Sequence, residues 1–291
     1  MANSAYLLFD VFTDRAFAGN PLAIFPGGVF DDETMRRIAR ELNLSETVFL
    51  TRTDGGAAAA LRIFTPAREM QFAGHPTIGT AIALTDHLEW IRPDQASFTL
   101  RLGIGDVPIR IERGSPTTAW LTTPAVTFGR EIAREDAASI LGLGIADVRG
   151  DLVPQMAGAG TPFLYVGLSG KPAVDRAVLD VAAVREHVGW SDVNGVYCFV
   201  QTDDGTYSRM FAPMSGIAED PATGSATGPL YAYLAKCGAL PRKERFVTEQ
   251  GVAMGRPSTL HVRIRWNNDV PESIEVGGNA VFIGEGTLRV P

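Results

Sequence analysis

Short apolar runs, each cut off by Gly, Pro, Asn or Asp, recur along the whole chain and read as strands joined by tight turns. Ala5–Phe12 and Leu22–Phe25 are the first two, separated by a loop that ends in the turn signal Gly19-Asn20-Pro21. Asp31 then caps a predicted helix in which Met35, Ile38, Ala39 and Leu42 recur at helical spacing. Glu46–Leu50 and Leu61–Phe64 form the next strand pair across the hairpin-compatible Thr53-Asp54-Gly55-Gly56. A helix beginning at Gly74 follows, then strands near Ser97–Leu102, Val107–Glu112 and Ala119–Thr122. Beyond it the pattern predicts a helix near Glu135–Leu141, a strand at Phe163–Val166 and an amphipathic stretch at Val181–Val188. Strands at Phe246–Thr248, Leu260–Arg265, Ile274–Val276 and Ala280–Val290 close the chain. Many short strands with only two helices per half predict an α+β fold, not the regular alternation of a parallel sheet.

Two segments about half a chain apart share one pattern. Val48–Thr80 and Val196–Leu230 each run apolar strand, Asp/Gly turn, Arg-x-Phe-x-Pro, then a Gly-led helix start. The offsets stay nearly constant, at 149 from Asp54 to Asp203, 147 from Pro66 to Pro213 and 150 from Gly74 to Gly224. Such a repeat predicts two similar domains, 1–125 and 126–278, with strand 279–291 returning to the first and Thr123–Arg130 as the crossing. A cleft between two such halves is a preferred place for a small molecule.

At 291 residues and 45% hydrophobic content the chain can fill two ordinary cores. A net charge of −7 and a pI near 5.2 argue against nucleic acid and anionic membrane as partners. No apolar run approaches the ~20 residues of a membrane span, and the N-terminus lacks a signal-peptide pattern, so a cytoplasmic protein is expected. The two cysteines, Cys198 and Cys237, form no CxxC and read as small apolar core residues.

The repeated helix starts, Ala73-Gly74-His75-Pro76-Thr77 and Thr223-Gly224-Ser225-Ala226-Thr227, are candidate anion sites. Their Gly admits a close ligand, and first-turn N–H groups lack helical partners. Either start also reads as an ordinary cap, with Pro76 suited to the first helical position and Ser225 to the N-cap. Pro229 would interrupt a helix begun at Ser225, so the two starts are expected to differ. Glu46, in Leu44-Ser45-Glu46-Thr47-Val48-Phe49, stands among apolar residues at the mouth of a strand, where a carboxylate can serve as general base or as a solvated strand-end charge. The second half carries Asn194-Gly195 there. Asp220 precedes the second Gly motif, with Glu69 a comparable distance before the first. The Gly-Ser-Ala-Thr-Gly run is not a nucleophile elbow, no P-loop occurs, and the scattered His75, His87, His187 and His261 give a metal site little support.

Taken together, Phe17-Ala18-Gly19-Asn20-Pro21, Leu44-Ser45-Glu46-Thr47, Phe64-Thr65-Pro66, Phe72-Ala73-Gly74-His75-Pro76-Thr77-Ile78-Gly79 and Glu219-Asp220-Pro221-Ala222-Thr223-Gly224-Ser225-Ala226 resemble the PhzF-like isomerases of phenazine biosynthesis, relatives of diaminopimelate epimerase. The resemblance spans essentially the whole chain. It implies two domains, each a mixed barrel-like sheet around a central helix, with the site in the interdomain cleft, cofactor-free chemistry, no metal and commonly a homodimer. It also implies Glu46 as catalytic base, with His75, Asp220 and Ser225 as its partners and Asn20, Gly74, Pro76, Thr77, Gly224 and Ala226 around a small carboxylate-bearing substrate. The epimerase relatives place a cysteine at each of two motif positions; here those are His75 and Ser225, which disfavours two-thiol racemisation. The expected activity is an isomerisation that moves a proton between carbons of a dihydro-hydroxyanthranilate or another cyclic or amino acid. A lyase or dehydratase using the same base, and a silent carboxylate-binding protein, are the other readings.

Overall fold

In a computed structural model that describes residues 2–290, the chain divides into two compact units. One runs through Thr122 and takes back the chain from Gly277 onward; the other is Thr123–Val276.

The first unit contains β1 (Ala2–Val11), β2 (Asn20–Phe25), α1 (Asp32–Leu42), β3 (Glu46–Thr51), β4 (Ala59–Phe64), β5 (Glu69–Met70), α2 (Gly74–Ile82), β6 (Ser97–Leu102), β7 (Gly105–Glu112) and β8 (Thr118–Thr122). Asp31 caps α1 by accepting from the Thr34 N–H, as its position before the apolar period predicts. Strand β2 lies parallel to β3, and β4 parallel to β6. A parallel pair needs a crossover, and α1 and α2 supply them. The outer face of β2, β3 and β4 presents Phe25, Phe49 and Phe64 to Met35, Ile38 and Ala39 of α1. The inner face receives α2, every residue of which is buried. Gly79 permits that approach, since a Cβ there would fall 2.6 Å from side-chain atoms of Leu22 and Val11.

The second unit contains β9 (Thr127–Glu131), α3 (Arg134–Ile140), β10 (Gln155–Gly158), β11 (Pro162–Gly167), α4 (Lys171–Arg176), α5 (Val181–His187), β12 (Gly195–Gln201), β13 (Gly205–Ala212), β14 (Ile217–Asp220), α6 (Gly224–Lys236), β15 (Arg245–Gln250), β16 (Ser258–Asn267) and most of β17 (Val270–Gly278). The last strand, β18 (Ala280–Val290), pairs antiparallel with β1 in the first unit. In the second unit β11 is parallel to β12 and β13 to β15, the same pattern as in the first. Helix α6 packs Ala226, Leu230, Tyr233 and Leu234 against Phe163, Tyr165, Tyr197 and Phe199.

Four expectations change. The second unit has four α-helices, not two: α3 and α5 fall where a helix and an amphipathic stretch are expected and α6 at the Gly-led start, while α4, which shares the β11–β12 crossover with α5, is additional. The stretch expected as a crossing is partly strand: Thr127–Glu131 pairs with β10, although each of its residues is exposed. Pro229 lies inside α6 without ending it. Only the bond its missing N–H would have given to the Ser225 carbonyl is lost, and full burial of Leu230, Tyr231, Tyr233 and Leu234 holds the helix together. Both helices begin at the expected glycines, and what changes is the ordinary-cap reading: Ala73 and Thr223 are the N-caps, so Pro76 is third in its helix and not first, and Ser225 is second and not the cap.

Candidate active site

Glu46 opens β3 directly opposite Leu22 of β2, so its side chain shares the inner face with Leu22 and looks toward α2. His75, second residue of α2 and 3% exposed, brings Nδ1 to 2.8 Å from Glu46 Oε2. The approach is not aligned as a hydrogen bond. The distance matters more than the angle, because a small carboxyl rotation re-aims the lone pair and such contacts often tighten only around substrate. A carboxylate at Oε2 calls for the proton on Nδ1, which leaves Nε2 as acceptor; Nε2 has no partner among the described residues.

The turn before β2 sets the third member of this group. Gly19 takes φ +66° and comes so close to the Val11 carbonyl that a Cβ would lie 2.3 Å from its oxygen. Only glycine meets both conditions, and the tight return places Asn20 opposite Val11, fully buried and on the face of Leu22 and Glu46. Gly74, Pro76 and Thr77 are also buried, and Thr77 turns its hydroxyl onto the Ala73 carbonyl at 2.7 Å. Ala73 has no capping side chain, so the Gly74 and His75 N–H groups are not spent on a cap.

In the second unit Asp220 ends β14, 5% exposed, and its Oδ2 accepts from Thr223 Oγ1 at 2.5 Å. That turns the Thr223 side chain away from the helix it precedes, so the Gly224 and Ser225 N–H groups have no side-chain cap either. Ser225 is partly exposed while Gly224, Ala226 and Thr227 are buried, and the Ala226 carbonyl accepts from the Tyr165 hydroxyl at 2.7 Å. The candidate residues therefore gather within each unit: Asn20, Glu46 and His75 in the first, Asp220 and the Gly224 start in the second.

Strand register corrects the pairing of Glu69 with Asp220. Ile63 faces Met70 across β4–β5, and Met210 faces Asp220 across β13–β14, so Met70 is the counterpart of Asp220. Glu69 corresponds to Glu219 instead: Arg62 grips Glu69 with two bonds of 2.7 Å, and Arg209 grips Glu219 with two of 2.8 Å. By the same register Gly195 stands where Glu46 does. Each candidate carboxylate thus occurs in one copy of the repeat alone.

The model of the PhzC-PhzF, phenazine biosynthesis-like family matches residues 9–286. The chain belongs to this family. Among its relatives is the trans-2,3-dihydro-3-hydroxyanthranilate isomerase of Pseudomonas fluorescens, 35% identical over 97% of this chain and 98% of that one. A PhzF-family structure from Bacillus anthracis matches the whole of both chains with a TM-score of 0.89 at 23% identity. A hydroxyproline epimerase structure from Agrobacterium vitis shares the fold at 15% identity, covering 98% of this chain and 92% of its own with a TM-score of 0.66. The protein is an isomerase of the phenazine biosynthesis-like family, and its mixed α+β architecture is that of these structures.

Other titratable groups in the isomerase lie apart from these sets. Among the described residues, no three His, Cys, Asp or Glu side chains gather as a cation cage, and no helix is long and apolar enough to cross a membrane. His87 stacks on Phe282, and His187 lies 3.3 Å from Asp136. Cys198 is fully buried in β12, which pushes its thiol up to about 12. Cys237, expected in the core, is exposed just past the end of α6. A chromogenic disulfide reagent should therefore titrate one thiol rapidly in the native isomerase and the second only in denaturant; two fast thiols would contradict this placement.

Proposed function

We propose that this isomerase moves a proton between two carbons of a small cyclic carboxylic acid of the dihydro-hydroxyanthranilate type, without a cofactor and with Glu46 as the base. The contact of Glu46 with buried His75 carries the reading. A carboxylate beside an imidazole can take a proton from an activated carbon, and the imidazole can orient it or relay to a substrate heteroatom. Because neither Gly195 nor Ser225 repeats this pair in the second unit, one base serves both steps and returns the proton on the face from which it came. Ser225 and the N–H groups of the Gly74 and Gly224 helix starts hold the substrate carboxylate and stabilise enolate-like charge as it develops. Asp220 orients the substrate's heteroatoms. The reading includes a homodimer, which the family resemblance favours, in the cytoplasm.

The test is conversion of trans-2,3-dihydro-3-hydroxyanthranilate in deuterated water, followed by mass spectrometry. The expected product keeps the substrate's mass apart from deuterium at the receiving carbon. Loss of water would replace the isomerisation with an elimination, and binding without turnover would leave a carboxylate-binding protein.

A further inference from the structure

Behind Asp220 the second unit buries a polar network whose positions the first unit fills with apolar residues. Gln250, the last residue of β15, is fully buried; its Nε2 donates to the Asp220 carbonyl at 2.7 Å and to Thr223 Oγ1 at 3.0 Å. Its Oε1 accepts from the Thr223 N–H at 3.2 Å and from the Tyr197 hydroxyl at 3.1 Å. Tyr197 is also fully buried, and its hydroxyl lies 2.9 Å from Ser208 Oγ. Along the side chains the donors pass from Tyr197 O–H to Gln250, from Gln250 N–H to Thr223 and from Thr223 O–H to Asp220 Oδ2, while the Thr223 backbone N–H donates back to Gln250 Oε1. Burial pushes the Tyr197 phenol well above its ordinary range, so the chain begins at a group that stays protonated.

The repeat supplies an internal control. Val48 faces Ile63 where Tyr197 faces Met210, and Leu61 faces Leu50 where Ser208 faces Phe199. Ala59 faces Leu100 where Thr206 faces Thr248, which by count sets Leu102 in the place of Gln250. Met70 stands for Asp220 and Ala73 for Thr223. The same backbone therefore stands on Val48, Leu61, Met70, Ala73 and Leu102, and the fold itself does not require the polar set. Burying these groups carries a desolvation cost that apolar residues avoid, so the network's retention calls for a purpose beyond packing.

We infer that Gln250, anchored by Tyr197, is a positioning residue that fixes the Asp220 carboxylate and the Thr223–Gly224 helix start for the isomerase reaction. The inference rests on the reading that Asp220 works on substrate. The network pins Asp220 at both its carbonyl and its carboxylate, so losing Gln250 frees the group without removing it.

The experiment compares Gln250→Leu, which installs the residue of the first unit, with Thr223→Val, Thr223→Ser and Asp220→Asn in the full chain. Gln250→Leu and Thr223→Val are expected to lower kcat roughly 10- to 100-fold with little change in KM, the cost of a slightly misplaced group, whereas Thr223→Ser stays within about threefold. Asp220→Asn combined with Gln250→Leu should be no slower than Asp220→Asn alone, because the two act through one carboxylate. A crystal structure of Gln250→Leu should show the Asp220 side chain displaced. Unchanged kcat in a folded Gln250→Leu protein, independent effects in the double variant, or an unmoved Asp220 would each overturn the inference. Should the unaltered protein fail to isomerise the dihydro-hydroxyanthranilate, the functional reading fails, while the crystal structure still decides whether Gln250 holds Asp220.

Discussion

Glu46→Gln is expected to lower turnover by roughly 10²- to 10⁴-fold, the range in which a positioned general base contributes. The substitution keeps the shape of the side chain and an oxygen that can accept from His75 Nδ1, 2.8 Å from Oε2 in the native protein. It removes only the capacity to hold and return a proton. Because Glu46 opens β3 opposite Leu22 and the strand behind it is buried from Thr47 through Leu50, the fold should not depend on its charge. An unaltered thermal midpoint together with lost turnover therefore separates chemistry from folding. Washing of deuterium from solvent into unreacted substrate should fall with turnover, since the same carboxylate removes the proton in both. A variant that keeps more than about a tenth of native kcat on a verified substrate would remove Glu46 from the base role.

Much of this group was legible from local chemistry. Gly19-Asn20-Pro21 announced a tight turn, and the structure shows why glycine is needed: a left-handed φ and a carbonyl within 2.3 Å of any Cβ. The capping role of Asp31 and the strand Ala280–Val290 were equally plain. What failed was long-range register. Counting back four residues from each helix glycine gives Asp220 and Met70; Glu69, an acid five residues before Gly74, is only a comparable distance away, and a slip of one residue along a strand exchanges its faces. The Gln250 network was hidden for a related reason. Tyr197, Ser208, Thr223 and Gln250 lie on three strands and a helix cap, where each taken singly is an unremarkable strand or cap residue. Their contrast with Val48, Leu61, Ala73 and Leu102 appears only once the ladders align the copies. Helix α4 escaped because it is six residues long and carries Pro172 in its first turn, too short for an apolar period to show.

The same alignment yields the largest expected stability effect, because it presents one ion pair in two environments. Arg209 and Glu219 have side chains only 12% and 14% exposed, whereas Arg62 and Glu69 are 36% and 30% exposed. Arg209 also donates through Nη1 to the Val174, Asp175 and Ala177 carbonyls, tying β13 to the end of α4. The hydrogen-bonded Glu219 carboxylate raises the Arg209 pKa above its already high ordinary value, so the guanidinium stays charged throughout the accessible pH range. Arg209→Ala leaves the largely buried Glu219 carboxylate without its partner and removes a donor from three carbonyls, of which Val174 keeps the Ala177 N–H, and should cost about 3–5 kcal/mol, the range for breaking a buried pair from one side. Arg62→Ala should cost much less, since water can solvate Glu69. Added salt should shrink the Arg62 effect and leave the Arg209 effect nearly unchanged. Replacing both partners, as Arg209→Met with Glu219→Leu, should recover most of the loss, because no uncompensated charge remains. Denaturant midpoints of the four proteins decide the matter; equal losses from Arg209→Ala and Arg62→Ala would show that burial does not set the strength of this pair.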